Sequence, residues 1–430
     1  MSGSTFRRCT GCGARFRPRT KRCHKCGGNR FSWAYKCDVG RSADGKRRLR
    51  MRGGFASQDE ADRGLREALG QVDQGTYVDP TKLTTGQYLV RWLAGLSRKP
   101  TTMDNYRVAI EAYAMPGHCP ECALGQIGLP KLTADHLDVL YRHLERDGKR
   151  RGPGGLAPKT VRHVHTALHK ALEDARERGY VVRNVAALAN PPSQKQARSR
   201  KAQTDLWTPE QLGGFLADVA EDRMAAAWQL FCTTGMRRAE VSGLAWPWVD
   251  LAERELQVMQ TLTEVRGKLV WSTLAEPTKT DAGTRVIALD PATTAVLRAH
   301  KVRQNGDRLA LGPDWHEDAE HGALVFTRQH GHPVRPAWFL DELRRRAERL
   351  GLPVIDVHGL RHSYATAALK AGVNVHVLAS RIGHADPATT LRVYSHVFRS
   401  DDHQAAALAA GAILARGEHS GSIPATERHP

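Results

Sequence analysis

The sequence predicts a multidomain α+β protein: a cysteine-bearing module, a short β-rich segment closed by one helix, a helical domain, and a larger, mostly helical domain holding a small β-sheet. Three observations predict it. The chain has 430 residues, enough for roughly two to four separate cores. Apolar residues alternate with period two from Phe31 to Val39 and recur at helical spacing between residues 83 and 188. Beyond residue 206 the two periods mix, helix first, then strands, then helices again.

Charge narrows the class of partner. A net charge of +19 favours a polyanion, because a basic surface attracts phosphate backbones. It is concentrated: residues 1–50 hold 15 Lys or Arg against two Asp, which marks the N-terminus as a nucleic-acid-gripping segment. No apolar run approaches the roughly 20 residues of a membrane span. Met1-Ser2-Gly3-Ser4 lacks a signal peptide's apolar core, so the expected location is cytoplasmic. Six of the eight cysteines stand in Cys-x-x-Cys pairs, which points to metal rather than to a disulfide framework.

In chain order, Cys9-x2-Cys12 and Cys23-x2-Cys26 come first, ten residues apart. They supply four thiolates able to surround one Zn2+ tetrahedrally, with Gly13, Gly27 and Gly28 for the tight turns. A structural zinc ribbon over residues 1–32 is expected, a metal-free redox or incidental set being the alternative. Phe31, Trp33, Tyr35, Cys37 and Val39 then form the alternating face of a half-buried strand, so Cys37 belongs to the strand and not to the ligand set. Asp44-Gly45 signals a hairpin. The strand after it puts Lys46, Arg48, Arg50 and Arg52 on one face and Leu49 and Met51 on the other. Such a stripe either follows a phosphate backbone or is a solvated hairpin. Ser57-x-x-Glu60 is a capping box opening a helix with Ala61, Leu65, Leu69 and Val72 on one face.

Thr76 to about Leu83 reads as a linker. Three helices follow, marked by Tyr88, Leu89, Trp92, Leu93 and Leu96, by Leu137, Leu140, Tyr141 and Leu144, and by Val161, Val164, Leu168 and Leu172. His118-Cys119-Pro120-Glu121-Cys122 between the first two has residue types that can bind metal, but with a single Cys-x-x-Cys there Cys119 and Cys122 read as two free thiols in a loop. Pro191-Pro192 and the polar, basic run Ser193–Lys201 read as an exposed linker over 189–205. Thr208-Pro209-Glu210-Gln211 opens a new domain with an N-cap, a proline at the first helical position and a capping-box partner, and Leu212, Phe215, Leu216 and Val219 give its apolar stripe. Strands are expected near Leu256–Met259, Lys268–Trp271 and Thr284–Leu289, then helices to about residue 415, with Gly417–Pro430 frayed.

Three segments of this last domain carry the residue types for cutting a phosphodiester without a metal. Thr234-Gly235-Met236-Arg237 offers an arginine just after a glycine, and Thr278-Lys279-Thr280 with Arg285 offers a lysine. The third runs through His358-Gly359-Leu360-Arg361-His362, Gly383-His384, Thr390 and Tyr394. Attack by a tyrosine builds negative charge on the non-bridging oxygens, and guanidinium forks on Arg237 and Arg361 suit its stabilisation. A phenol with a pKa of about 10 needs a base or concentrated positive charge. His358 and His384 are the available groups, and Lys279 is suited to protonate the leaving 5′ oxygen. No acidic cluster for a two-metal nuclease is visible. Arg238 and Glu240 read as a local charge pair, and His362 and His396 as structural or solvent-facing neighbours.

The order Arg, Lys, His-x-x-Arg, His, Tyr over residues 206–400 resembles the tyrosine recombinases, the phage-integrase family. The resemblance implies a catalytic domain at 206–400 in which Arg237 and Arg361 bind phosphate, Lys279 is the general acid, and His358 and His384 hold the phosphate and assist proton transfer. Tyr394 would form a 3′-phosphotyrosyl intermediate and release a 5′-hydroxyl, so that neither ATP nor a catalytic metal is needed. It further implies a core-binding domain at 83–188, an arm-site-binding domain of three strands and a helix at 33–75, and double-stranded attachment-site DNA as partner. Family members act as synaptic homotetramers, for which Gln404–Leu414 in the tail (401–430) is the trans-packing candidate, with a directionality factor and a host DNA-bending protein as further partners. The zinc ribbon is less usual. The leading expectation is an integrase that inserts and excises a phage or other mobile element, with a type IB topoisomerase-like relaxing enzyme and an inactive zinc-ribbon regulator as alternatives.

Overall fold

The computed structural model describes residues 3–16, 20–41, 47–74, 82–115, 123–199, 206–274, 284–318, 320–384 and 386–398, with 406–407, 410–411 and 413–414. Lys46, Cys119, Cys122, Lys279, the linker residues 76–81, the tail beyond 414 and part of Gln404–Leu414 lie outside the described residues. Two units divide the chain, residues 1–200 and 201–430. Among the described residues no helix is long and apolar enough to cross a membrane.

The first unit begins with an antiparallel sheet of β1 (Gly3–Cys9), β2 (Phe31–Arg41) and β3 (Arg47–Phe55), in that spatial order. β1 was not expected: its seven residues carry two adjacent arginines and no apolar alternation. It pairs along β2 from Gly3 opposite Cys37 to Cys9 opposite Phe31, so the expected boundary between a ribbon ending at 32 and a sheet starting at 33 runs through one hydrogen-bonded sheet. Helix α1 (Gln58–Asp73) starts where the capping box predicts, with Glu60 N–H donating to Ser57 Oγ and Ala56 N–H donating to Glu60. It buries Ala61 and Ala68 and packs Leu65 and Leu69 against Tyr35, Cys37, Val39 and Phe55.

Register decides which face of β3 is which. Arg52 stands opposite Tyr35 and Arg50 opposite Cys37, and residues directly opposite share a face, so these arginines lie on the side covered by α1. Both residues are nonetheless exposed, and the Arg52 guanidinium lies over the Phe55 ring, 5.7 Å from its centroid. Leu49 and Met51 point to the open side and are 49% and 50% exposed. The alternation is as expected, but its apolar half is not the buried half.

The helical part of this unit comprises α2 (Thr85–Ala94), α3 (Pro100–Arg107), which runs on as a π-helical stretch Val108–Ala114, then α4 (Ala134–Asp147), α5 (Pro158–Glu177) and α6 (Gln194–Ser199). Tyr88, Leu89, Trp92 and Leu93, Leu137, Leu140, Tyr141 and Leu144, and Val161, Val164, Leu168 and Leu172 are all buried in one core, as their spacing requires. Polar groups inside it are paired: Trp92 Nε1 donates to Asp174 at 2.7 Å and the Tyr88 hydroxyl to Ala171 O at 2.7 Å. α6 corrects the linker expected from residue 189. Ser193 and Gln196 form a reciprocal cap, and Arg162 donates to Pro192 O at 2.7 Å, so the first half of that segment is folded onto α5.

The second unit opens with α7 (Pro209–Asp218), capped by Thr208 and Gln211 as predicted. It continues through α8 (Ala225–Thr234) and α9 (Arg238–Ser242) to a small antiparallel sheet of β4 (Val249–Asp250), β5 (Glu255–Val258) and β8 (Arg285–Ala288). A separate hairpin, β6 (Gln260–Val265) and β7 (Lys268–Thr273), is inserted between β5 and β8. Helices α10 (Pro291–Leu311), α11 (Pro336–Arg349), α12 (Val357–Lys370), α13 (Val375–Ile382) and α14 (Pro387–Phe398) complete it. The main core gathers Trp207, Phe215, Trp228, Phe231 and Phe339 with strand residues Leu256, Val258 and Ile287. A smaller cluster of Ala365, Leu369, Leu378, Ile382 and Tyr394 ties α12, α13 and α14 together.

Candidate active site

The second unit brings the arginines to the C-terminal end of α13. Three consecutive carbonyls there each accept from a different guanidinium: Arg381 O from Arg285 Nε at 2.7 Å, Ile382 O from Arg361 Nη2, and Gly383 O from Arg237 Nη2 at 2.7 Å. The last carbonyls of a helix lack intrahelical partners and carry the negative end of its dipole, so cations are favoured at this point. Gly383 ends the helix in the left-handed conformation with φ 68° and delivers His384 beside the arginines.

Glu240 organises the same corner from the other side. It is 2% exposed and accepts from Arg237 Nη1 at 2.7 Å and from Arg285 Nη2 at 2.8 Å. Burial pushes its carboxyl up, yet Arg285 and Arg237 hold it below the usual carboxylate range. Its partners are thus Arg237 and Arg285, and the expected pair of Glu240 with Arg238 does not form. Arg361, 2% exposed, also donates from Nη1 to Gly235 O at 2.7 Å. Burial, then Arg237, lowers it to about 10, which leaves it cationic at neutral pH. Gly235 must be glycine: φ is 63°, and a Cβ would sit 2.5 Å from Tyr364.

Tyr394 is 1% exposed. Its backbone, at φ −109° and ψ 17°, breaks the helical geometry of α14, in a sparsely allowed region that active-site residues often occupy. Burial pushes the phenol up to about 12, against the opposing effect of Arg361. His362 Nδ1 lies 2.7 Å from its hydroxyl, so the histidine expected to be structural or solvent-facing is in contact with the tyrosine. His384 Nδ1 is engaged with the buried Thr390 hydroxyl at 2.7 Å, and burial, then Arg361 and Arg237, lowers this imidazole to about 4. His358 is exposed in the first turn of α12, its ring edge-on to His362 at 4.5 Å. Lys279 falls within 275–283, and the side chain of His396 also lies outside the described residues.

In the first unit the thiol groups of Cys9, Cys12, Cys23 and Cys26 lie within 4.8 Å of one another. Cys9 to Cys26 and Cys12 to Cys23 are each 3.5 Å, too long for a disulfide. Four thiolates at about 2.3 Å from a tetrahedral ion would be about 3.8 Å apart, so the donor set and its spacing fit such a metal. Backbone N–H groups of Cys12 and Gly11 point at Cys9, and those of Lys25 and Cys26 hold the Cys23 thiol down at about 6. The cluster hangs on the sheet, since Cys9 is the last residue of β1.

Residues 209–400 match the Phage integrase family. The chain is 29% identical over 386 residues to an integrase of Streptomyces ambofaciens, covering 86% of this chain and 90% of that protein. It is 24% identical over 372 residues to a tyrosine recombinase XerC-like protein of Caldanaerobacter subterraneus, covering 84% and 90%. Over residues 209–400 this chain carries the phage integrase family's domain. Among solved structures, the Tn1549 transposon integrase in complex with transposon right end DNA superposes with a TM-score of 0.58 at 18% identity, over 75% of this chain and 100% of that one, which shows the shared fold. The protein is therefore a tyrosine-type site-specific DNA recombinase.

For this integrase-family enzyme the described structure gathers Arg237, Arg361, His384 and Tyr394 in one corner, with His358 at its exposed edge. The sequence shows Glu240, Arg285 and His362 but not their contacts in this corner. The i, i+3 spacing of Arg237 and Glu240 could have flagged the first. The contacts of Arg285 and His362 span 45 and 32 residues, and nothing local announces them.

Proposed function

We propose that this recombinase cuts and rejoins DNA through Tyr394, and that it integrates and excises a phage or other mobile element at attachment sites. Arg237 and Arg361 take the non-bridging oxygens of the scissile phosphate, exchanging backbone carbonyls for stronger charge-assisted bonds. His384, neutral and held by Thr390, and His358 donate to the same phosphate. The Tyr394 oxygen attacks phosphorus, the bond to the 5′ oxygen breaks, and Lys279 protonates the leaving group. The 3′-phosphotyrosyl link conserves the bond energy until the 5′-hydroxyl of the partner strand attacks it. The convergence of Arg237, Arg361 and Glu240 on the α13 terminus beside a buried tyrosine is the observation that best supports this chemistry.

The remaining roles belong to the same proposal. Residues 83–188 bind core-site DNA, and the sheet at the N-terminus contacts accessory arm sites, with Lys46, Arg48, Arg50 and Arg52 as its cations. The four cysteines hold a structural Zn2+ that fixes the loop after β1. A synaptic homotetramer, helped by a directionality factor and a DNA-bending protein, completes recombination in the bacterial cytoplasm, where the chromosome lies.

Tyr394→Phe tests the chemistry: the variant is expected to bind attachment-site DNA and to form no covalent adduct on a suicide substrate, and an adduct at the wild-type level would refute the assignment. For the metal, Cys23→Ser with Cys26→Ser should abolish bound zinc by elemental analysis. Unchanged zinc content would remove the ribbon.

A further inference from the structure

The phenol of Tyr394 is held by a histidine that the chemistry above leaves idle. His362 Nδ1 is 2.7 Å from the Tyr394 hydroxyl, with ring centroids 5.6 Å apart and planes at 61°. One residue earlier on α12, Arg361 turns instead toward Gly235 and the α13 carbonyls, so adjacent positions of one helix serve the phosphate and the nucleophile separately. His384 uses Nδ1 for Thr390. At 1% exposure the phenol is closed to bulk water, and deprotonating it requires a group already in contact.

We propose that His362 takes the phenolic proton of Tyr394 as the phosphotyrosyl bond forms. The proposal rests on Tyr394 being the nucleophile. In the step, the Tyr394 O–H bond breaks and an N–H bond forms at His362 Nδ1. The oxygen's electron pair makes the new bond to phosphorus, the bond to the 5′ oxygen breaks, and Lys279 gives that oxygen its proton. In the second half the incoming 5′-hydroxyl gives its proton to Lys279, left neutral by the first step, and its oxygen bonds to phosphorus while the bond to the Tyr394 oxygen breaks and that phenolate recovers its proton from the His362 imidazolium. Accepting at Nδ1 requires the tautomer with hydrogen on Nε2. Among the described residues, His358 stands edge-on to His362 and Arg361 acts on the Tyr394 phenol, while Arg237, Glu240 and Arg285 act on Arg361 in turn and Arg361, Arg237 and His358 act on His384 after α13. The DNA phosphate brings the negative charge that offsets the imidazolium formed.

The test follows adduct formation on a nicked suicide half-site between about pH 6.5 and 9.5 for wild type, His362→Asn, His362→Ala and Tyr394→Phe, with DNA binding measured alongside. Asparagine can hold the phenol but cannot take its proton. Expected are wild-type DNA binding and an adduct rate lower by about 100- to 1000-fold in the Asn and Ala variants, the deficit shrinking as pH rises and added imidazole partly restoring the Ala variant. An adduct rate within a few fold of wild type, or a deficit equal at every pH, overturns the proposal, and whichever substitution retains DNA binding decides. An adduct from Tyr394→Phe would instead sink the underlying assignment of the nucleophile.

Discussion

Arg237, Arg285 and Arg361 come from distant stretches, yet the carbonyls of Arg381, Ile382 and Gly383 hold one each. Three cations crowd one corner only because a helix end and the buried Glu240 carboxylate offset their repulsion. Arg285, its side chain 6% exposed, is the group on which that balance depends, since it gives Glu240 two hydrogen bonds. Arg285→Met should therefore cost about 3 kcal/mol or more, because it leaves a buried charge half paired. Urea unfolding of the isolated protein measures it. Adding Glu240→Gln should recover part of the loss, and a double variant as unstable as the sum of the singles would contradict the pairing. At this scale the residue types of the site were legible in the sequence and their contacts were not. Local sequence pairs Glu240 with its neighbour Arg238 and gives His362 only a structural or solvent-facing role.

The elements were legible wherever their signal is local. Ser57 with Glu60 and Thr208 with Gln211 cap helices where the four-residue patterns predict, because a capping box is made within one turn. Ser193 with Gln196 makes the same box inside a basic, polar run whose composition reads as a linker. β1 was invisible, since a seven-residue edge strand without apolar alternation becomes a strand only by pairing with β2. Glycine tests the difference between local and tertiary demands. Gly267 (φ 78°) has nothing within 4 Å of a would-be Cβ, whereas at Gly235 (φ 63°) Tyr364 stands 2.5 Å away. Gly267→Ala should cost about 1 kcal/mol, the left-handed penalty alone. Gly235→Ala should cost about 2 kcal/mol beyond that for overpacking, as read from the two unfolding midpoints. Equal losses would mean that Tyr364 moves aside freely.

Across the molecule, both units hold histidines that folding keeps neutral. His165, in residues 1–200, falls to about 4 through burial, then His169 and Arg162. In residues 201–430, burial lowers His300, and burial with the arginines brings His384 to about 4. Unfolded, each accepts a proton near pH 6.5. Between about pH 6.5 and 4 the unfolded chain binds more protons than the folded one, so the stability present above pH 6.5 is lost as pH falls through that window. Urea midpoints should drop between pH 7.5 and 5 in each unit, with no comparable change between 7.5 and 8.5. A flat profile down to pH 5 would show that these imidazoles stay neutral in the unfolded chain as well.

What could be read from residue order alone was the inventory: helices by their apolar faces, four cysteines by their spacing, and an Arg, His-x-x-Arg, His, Tyr series suited to phosphodiester chemistry. These signals lie within a few turns of chain, where backbone periodicity and cap geometry are set by near neighbours. Folding in three dimensions settled the assignments. It put Leu49 and Met51 on the open face of the sheet through the register with β2, joined Glu240 to Arg285 across 45 residues, and gave the Tyr394 hydroxyl to His362. Those choices depend on which surfaces pack when distant segments meet, and the free energy that selects them belongs to the assembled core and not to any one stretch.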